Sequence, residues 1–460
     1  MKIFFEHLNG FFTDLFKKEE FWFIVFALGI GGAFLASIPT ISTREIIPLI
    51  GELVMRTLSL WIFLFLFPFF KLVWLFWKQE QFKRKEEWVM VEICIPRELK
   101  KNPRAMEQVL AALHALRNSP GNFKESYLEG QVTKWFSFEL VSIGGEIHLY
   151  VRVPKKYKDY VEASLFSYYE DIEIREVEDY IAPLPHSCRE LIEREVEFWG
   201  TEMILAKEDA YPIKTYPNFE HEAEEKQYDP IATFLETLGR TKKEEIAGFH
   251  MITVPADVKW KDQWKELLEK IQKPIAPKGD DKKAGQLTPG QVEVLKAVEM
   301  NLSKPAFHTL IRIFYFAPKT AFNDGYTKGL TGAFQQYTAL NLNAFKGNSA
   351  VAPKAGAWSK PYVFPGLRGY HRKERLIAML TRRDIPPESL VGRILLSSFF
   401  SWYTKSKLFV MNIEGLATVF HPPTKVILTS PHLRQVHSKK TSPPIGLAIY
   451  GEENEIEHYK

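Results

Sequence analysis

FSFELVSIGGEIHLYVRVP, residues 136–154, reads as two strands of alternating apolar and polar residues that meet at Gly144-Gly145. Glycine takes positive φ without a Cβ penalty, so a Gly-Gly pair between alternating runs is a hairpin signal. Working outward, EWVMVEICIP (87–96) also alternates and ends at Pro96. Residues 103–118 open with Pro103, and Met106, Val109, Leu110, Leu113 and Leu116 form one helical stripe. After the hairpin, 155–170 returns to helical spacing through Tyr157, Val161, Leu165 and Tyr168, and IEIREVEDYI (172–181) reads as a strand. The order β-α-β-β-α-β predicts a ferredoxin-like unit over 86–182.

A second α+β unit is expected over 195–345. Its strands fall at 197–206, 244–254 and 305–316. Its helices fall at 229–240, 259–272, 288–302 and 319–340. Residues 273–287, rich in Pro, Gly and Lys, read as an exposed insertion. Beyond it lie a basic mixed segment (346–426), with helices at 370–382 and 389–403, and an extended tail (427–460). The fold class is α+β, with two ferredoxin-like units behind an N-terminal two-helix transmembrane hairpin.

That hairpin rests on two apolar runs inside 21–78. Residues 21–41 carry no charge, and 57–77 carry Lys71 alone, near the end. Trp61, Trp74 and Trp77 sit toward the ends of the second run. Lys2, Lys17 and Lys18 precede the pair and Lys78, Lys83, Arg84 and Lys85 follow it, against Arg44 and Arg56 between. The expectation is a multi-pass protein of the cytoplasmic (inner) membrane, both ends inside, with the lipid bilayer as partner. Phe4, Leu8, Phe11, Phe12, Leu15 and Phe16 suggest an amphipathic interfacial helix over 1–20.

Cys94 and Cys188 are the two cysteines among 460 residues, which excludes a disulfide framework. Sixty Lys and Arg nearly cancel 56 Asp and Glu. The chain contains no P-loop, G-x-S-x-G, C-x-x-C, H-E-x-x-H or dinucleotide-binding glycine pattern. No catalytic residue, cofactor or metal is therefore predicted, and the chain is expected not to be an enzyme.

Charge is segregated along the chain. Residues 171–245 hold 20 acids against 9 Lys and Arg; residues 346–440 hold 16 Lys and Arg against 4 acids. Lys354, Lys360, Arg368, Arg372, Lys373, Arg375, Arg382 and Arg383 are interleaved with Trp358, Tyr362, Phe364 and Tyr370. Cations beside aromatics suit single-stranded nucleic acid, through phosphate attraction and base stacking. Three readings stay open: docking on the acidic region or a second copy, nucleic acid such as DNA, and anionic lipid. Docking is favoured, since an opposite charge already stands in the chain. The run Glu220, Glu222, Glu224 and Glu225 reads as a solvated loop.

Residues 136–174 resemble the N-terminal region of membrane-associated type IV secretion or conjugation ATPases. FVMNIEGLATVFHPP (409–423) resembles the stretch before the ATPase core of such proteins. Asn412, Glu414, Leu416, Ala417, Thr418, His421 and Pro423 carry that pattern, and KTSPPIGL (440–447) resembles the linker after it. The P-loop domain of the relatives is missing here. The resemblance implies a membrane-anchored, non-catalytic scaffold of a secretion or conjugative DNA-transfer machine that docks a separate P-loop ATPase. The alternative is a membrane-tethered nucleic-acid-binding protein using 346–383.

Overall fold

Each alternating run becomes a strand. A computed structural model describes residues 52, 57, 66–67, 69–96, 102–219, 229–272, 287–353, 364–387, 390–397, 406–423 and 435–436. The first strands are β1 (Trp88–Pro96), β2 (Phe136–Ile143), β3 (Glu146–Pro154) and β4 (Glu173–Val177). Gly144 and Gly145 take φ of 63° and 93° at the β2–β3 turn, as two adjacent positive-φ residues in a tight hairpin require. The remaining strands are β5 (Val196–Leu205), β6 (Ile246–Pro255), β7 (Ala306–Pro318), β8 (Phe345–Gly347), β9 (Phe409–Asn412) and β10 (Gln435–Val436).

These strands form one mixed sheet ordered β10-β1-β3-β2-β6-β7-β5-β8, with β4 beside β1 and β9 beside β7. All described pairings are antiparallel except β1 with β10. The halves join where β2 pairs with β6, from Phe136 opposite Thr253 to Ile143 opposite Ile246. The described residues from Leu72 onward form one compact unit.

The helices are α1 (Pro103–His114), α2 (Lys158–Tyr168), α3 (Cys188–Glu193), α4 (Ala232–Leu238), α5 (Lys265–Gln272) and α6 (Pro289–Ser303). They continue with α7 (Asp324–Gly332), α8 (Pro365–Arg382), α9 (Leu390–Leu395) and α10 (Ile413–Val419). Local chemistry sets their ends. Pro103 starts α1 behind Asn102, whose side chain accepts from the Arg104 N–H, and Thr288 and Gln291 form a capping box on α6. The helix expected over 319–340 is shorter: Asn323 caps α7 and a 3₁₀ turn follows over Ala333–Tyr337.

Strand alternation sorts the sheet into two faces. Val91, Phe138, Leu140, Val151, Phe249, Met251 and Ile313 pack with Leu110, Leu165, Leu235 and Leu416, burying α1, α2, α4 and α10 on one face. Met90, Tyr150, Phe198, Phe314 and Phe316 pack with Leu191 of α3 and Leu376, Ile377 and Leu380 of α8 on the other. A Leu so enclosed contributes about 1.5–3 kcal/mol of hydrophobic stabilisation.

The N-terminal expectation is corrected. Residues 69–85 form one helix. It runs past the expected end of the second apolar run and takes in Lys78, Glu80, Lys83, Arg84 and Lys85. Its polar end lies on the α+β unit rather than ending at an interface: the Trp74 indole N–H donates to the Tyr127 carbonyl at 2.9 Å. Among the described residues no helix is long and apolar enough to cross a membrane. The multi-pass inner-membrane placement therefore does not stand, and residues 58–65 of the expected hairpin's second run lie outside the described residues. The apolar run 21–41 and the stretch 1–20 lie outside the described residues, as do the 273–286 insertion and Glu220 to Glu225.

Candidate functional site at the seam of the sheet

On the α3/α8 face, the strands line up one ionisable or polar aromatic residue each. Arg175 of β4 stands opposite Glu92 of β1, and Glu92 opposite Tyr150 of β3. Tyr150 stands opposite Glu139 of β2, and Glu139 opposite His250 of β6. His250 stands opposite Arg312 of β7, and Arg312 opposite Glu202 of β5. This transverse row crosses seven strands and both halves. Glu139, His250, Arg312 and Glu202 are each fully buried.

Burial of charge demands partners, and this row has them. The Arg383 guanidinium donates to both Glu139 carboxylate oxygens, at 3.0 and 3.1 Å, and to both Asp179 oxygens, at 2.5 and 2.8 Å. Tyr180 Oη donates to Glu139 Oε2 at 2.6 Å and lies 2.5 Å from His250 Nε2. Ser137 Oγ donates to Glu139 Oε1 at 2.7 Å. In the other half, Arg312 Nε donates to Glu202 Oε1 at 3.1 Å and Ser406 Oγ to Glu202 Oε2 at 2.6 Å. Arg312 Nη1 also donates to the Met379 carbonyl in α8 at 3.2 Å. Near β1, His148 Nδ1 lies 2.7 Å from Glu92 Oε1, and the rings of His148, Tyr150 and Tyr180 stack in sequence.

Arg383 owes its position to a helix end. It caps α8 in the left-handed conformation, φ 52°, with its N–H returned to Leu380. That geometry stops the helix and turns the guanidinium into the sheet.

The electrostatics follow from enclosure. Burial pushes the Glu139 carboxyl up, but the Arg383 charge and hydrogen bonds from Arg383 and Tyr180 outweigh it and hold the group at about 2. Burial lowers His250 to about 3, against the pull of Glu139, so its ring is neutral near pH 7. Burial and the neighbouring Glu139 charge push the Tyr180 hydroxyl well above its ordinary value. A general acid or base must come within hydrogen-bond reach of its substrate. Glu139 and His250 are sealed inside and committed to neighbours, so the row fastens α8 and the 178–184 loop to the sheet.

The DUF8128 family, described as a domain of unknown function, matches residues 77–352. That range is more than half of the chain. The chain belongs to the DUF8128 family. No curated protein matches it. Neither finding links the chain to type IV secretion or conjugation. The DUF8128 match spans Glu92, Glu139, Tyr180, Glu202, His250 and Arg312 and ends before α8, which supplies the covering Arg383.

The basic-aromatic residues singled out in the sequence have varied fates. Lys354, Trp358, Lys360 and Tyr362 lie outside the described residues. Arg368 and Arg383 are fully buried. Lys373 pairs with Glu197, Arg375 donates to the Leu396 carbonyl at 3.2 Å, and Arg372 is half-buried near Ala352. The Arg382 carbonyl accepts from Arg152, and Arg382 borders a cleft with Glu80 and Asp384. Tyr370 is 44 % exposed, with Phe364 and Leu367 close by in sequence and also exposed.

The 409–423 stretch is equally internal. Asn412 accepts from the Gly415 N–H to cap α10, Glu414 holds Lys304, and Thr418 Oγ1 accepts from the Tyr216 N–H at 2.9 Å. His421 is fully buried, with Nε2 2.9 Å from Asp229 and Nδ1 2.8 Å from the Ala417 carbonyl. Sequence reasoning missed the transverse row. Its signal was an ionisable side chain set inside the apolar strands β1, β2, β5, β6 and β7, at Glu92, Glu139, Glu202, His250 and Arg312.

Proposed function

We propose that this chain is a non-enzymatic protein-docking module. One observation carries the reading: α8, a strongly basic helix, commits part of its charge to its own sheet. Arg368 is buried, Arg383 and Lys373 engage carboxylates, and Phe364, Leu367 and Tyr370 are left outward. A helix that spends its charge on its own sheet and exposes aromatic and aliphatic groups suits a protein partner, because interfaces are rich in aromatics and poor in charge at their centre. Single-stranded nucleic acid is favoured less, since phosphates need presented cations. The resemblance of 136–174 and 409–423 to non-ATPase regions of P-loop motor proteins suggests a separate P-loop ATPase as the partner.

On this reading the scaffold is a pair of ferredoxin-like units fused edge to edge. Supporting it, β4-β1-β3-β2 and β8-β5-β7-β6 follow the same order within each half. The test is native purification of the tagged full chain from its own cells. Stoichiometric recovery of one P-loop ATPase, with nucleotide hydrolysis in the complex and none in the chain alone, is expected. Hydrolysis by the chain alone, or salt-sensitive single-strand binding lost in Trp358→Ala, would overturn the proposal.

A further inference from the structure

Between α3 and the first half of α8 lies a groove of about 440 Å³. Leu191, Ile192, Val196 and Tyr370 form its apolar walls, and Lys319 and Lys373 stand in its lining beside Glu197. Ile192 is 63 % exposed although it borders an apolar hollow. Leu367, three residues before Tyr370 and likewise exposed, extends the apolar stripe along α8.

Charge selects the occupant. Lys373 is neutralised by Glu197, which leaves the exposed Lys319 as net positive charge on the groove. Pro365 and Gly366, at the N-terminus of α8 where a helix carries partial positive charge, also line the groove. The hollow has room for one or two large apolar side chains. We infer that this groove docks a short amphipathic acidic segment of a partner protein, its aliphatic or aromatic side chains entering between Ile192 and Tyr370 and a carboxylate meeting Lys319. The inference rests on the docking reading above and names the surface and the chemistry it uses. Nucleic acid fits less well, because among the described residues Tyr370 is the one aromatic face in the groove lining. The neighbouring stretch 354–363 is no match, since it carries Lys354 and Lys360 and no acid.

The test uses the full chain and a fluorescent peptide of Leu and Glu at helical spacing, read by anisotropy. Two control peptides replace every Glu by Lys or every Leu by Ser. Binding of the Leu/Glu peptide alone is expected, weakened tenfold or more by Ile192→Glu and by Lys319→Glu. Both changes sit at exposed positions, so unchanged thermal melting separates lost docking from lost fold. Equal binding of the Lys and Glu peptides, or indifference to both variants, would overturn the groove. Residues 452–457 of the chain are themselves acidic, with four Glu. A chain ending at residue 448 that binds the probe tenfold tighter would make that stretch the occupant and overturn an outside partner. If a natively purified partner stays bound to Ile192→Glu and Lys319→Glu chains, the groove is wrong while the docking reading survives.

Discussion

Glu139 on β2 and His250 on β6 face each other across the seam of the two half-sheets, Oε2 and Nε2 3.2 Å apart, and Tyr180 bridges both. The pair is sealed by Arg383, which reaches it from a helix end 244 residues further along the chain.

Removing that guanidinium leaves Glu139 buried without its counter-charge. Arg383→Met is expected to cost about 3–5 kcal/mol in denaturant unfolding, the usual penalty for breaking a buried pair. Arg383→Met with Glu139→Gln should recover part of the loss, because the orphaned charge is gone. Equal instability of the single and double variants would mean that Arg383 acts through packing.

Acid should loosen the same seam in two stages. His250 falls from an ordinary 6.5 to about 3 on folding. The unfolded chain therefore binds the extra proton, and stability is lost as pH drops from 6.5 toward 3, with a slope of up to about 1.4 kcal/mol per pH unit. Glu139 falls from 4.5 to about 2. Its contribution is complete above 4.5 and is lost as pH falls through that value toward 2. In urea titrations His250→Gln should flatten the pH 4–6 limb in particular.

The β2–β3 turn gives a sharper steric test. A Cβ on Gly145 would lie 2.8 Å from the Thr241 carbonyl oxygen, at φ 93°. Gly145→Val is expected to cost at least about 1–2 kcal/mol, from left-handed strain added to the clash. An unshifted melting temperature would contradict the turn geometry.

Gly248 makes a different point. A Cβ there would lie 2.3 Å from the Leu140 carbonyl oxygen, directly across the seam. Gly248→Ala should push β2 from β6 and speed amide exchange of Phe138 to Val141, with little effect on β1 and β4. Uniform loss of protection across the sheet would refute a local seam.

Period-two alternation made β1, β2, β3, β6 and β7 legible in the sequence, and Pro103 and the Gly144-Gly145 pair marked real boundaries. Other elements gave no comparable signal. β8 is three residues long, and β9 changes directly into α10 at Asn412, so neither window holds a full period. The second apolar run misled because hydropathy stops at Trp77 while the helix continues through charged residues to Lys85. The candidate row hid for another reason. Glu92, Glu139, His250, Arg312 and Glu202 look like isolated exceptions in five strands, and pairing register alone puts them in line.

The chain closes its own core late. α10 packs Leu416, Ala417 and Val419 into the cluster that α1 began with Met106 and Leu110, about 300 residues earlier. At 5–20 residues per second of synthesis, roughly 15 to 60 seconds separate those two helices on the ribosome. Through that interval the first strands stand with an open hydrophobic wall, exposed to aggregation. A nascent chain stalled before residue 409 is thus a natural client for a chaperone, and premature termination there should yield insoluble protein rather than a shorter folded one.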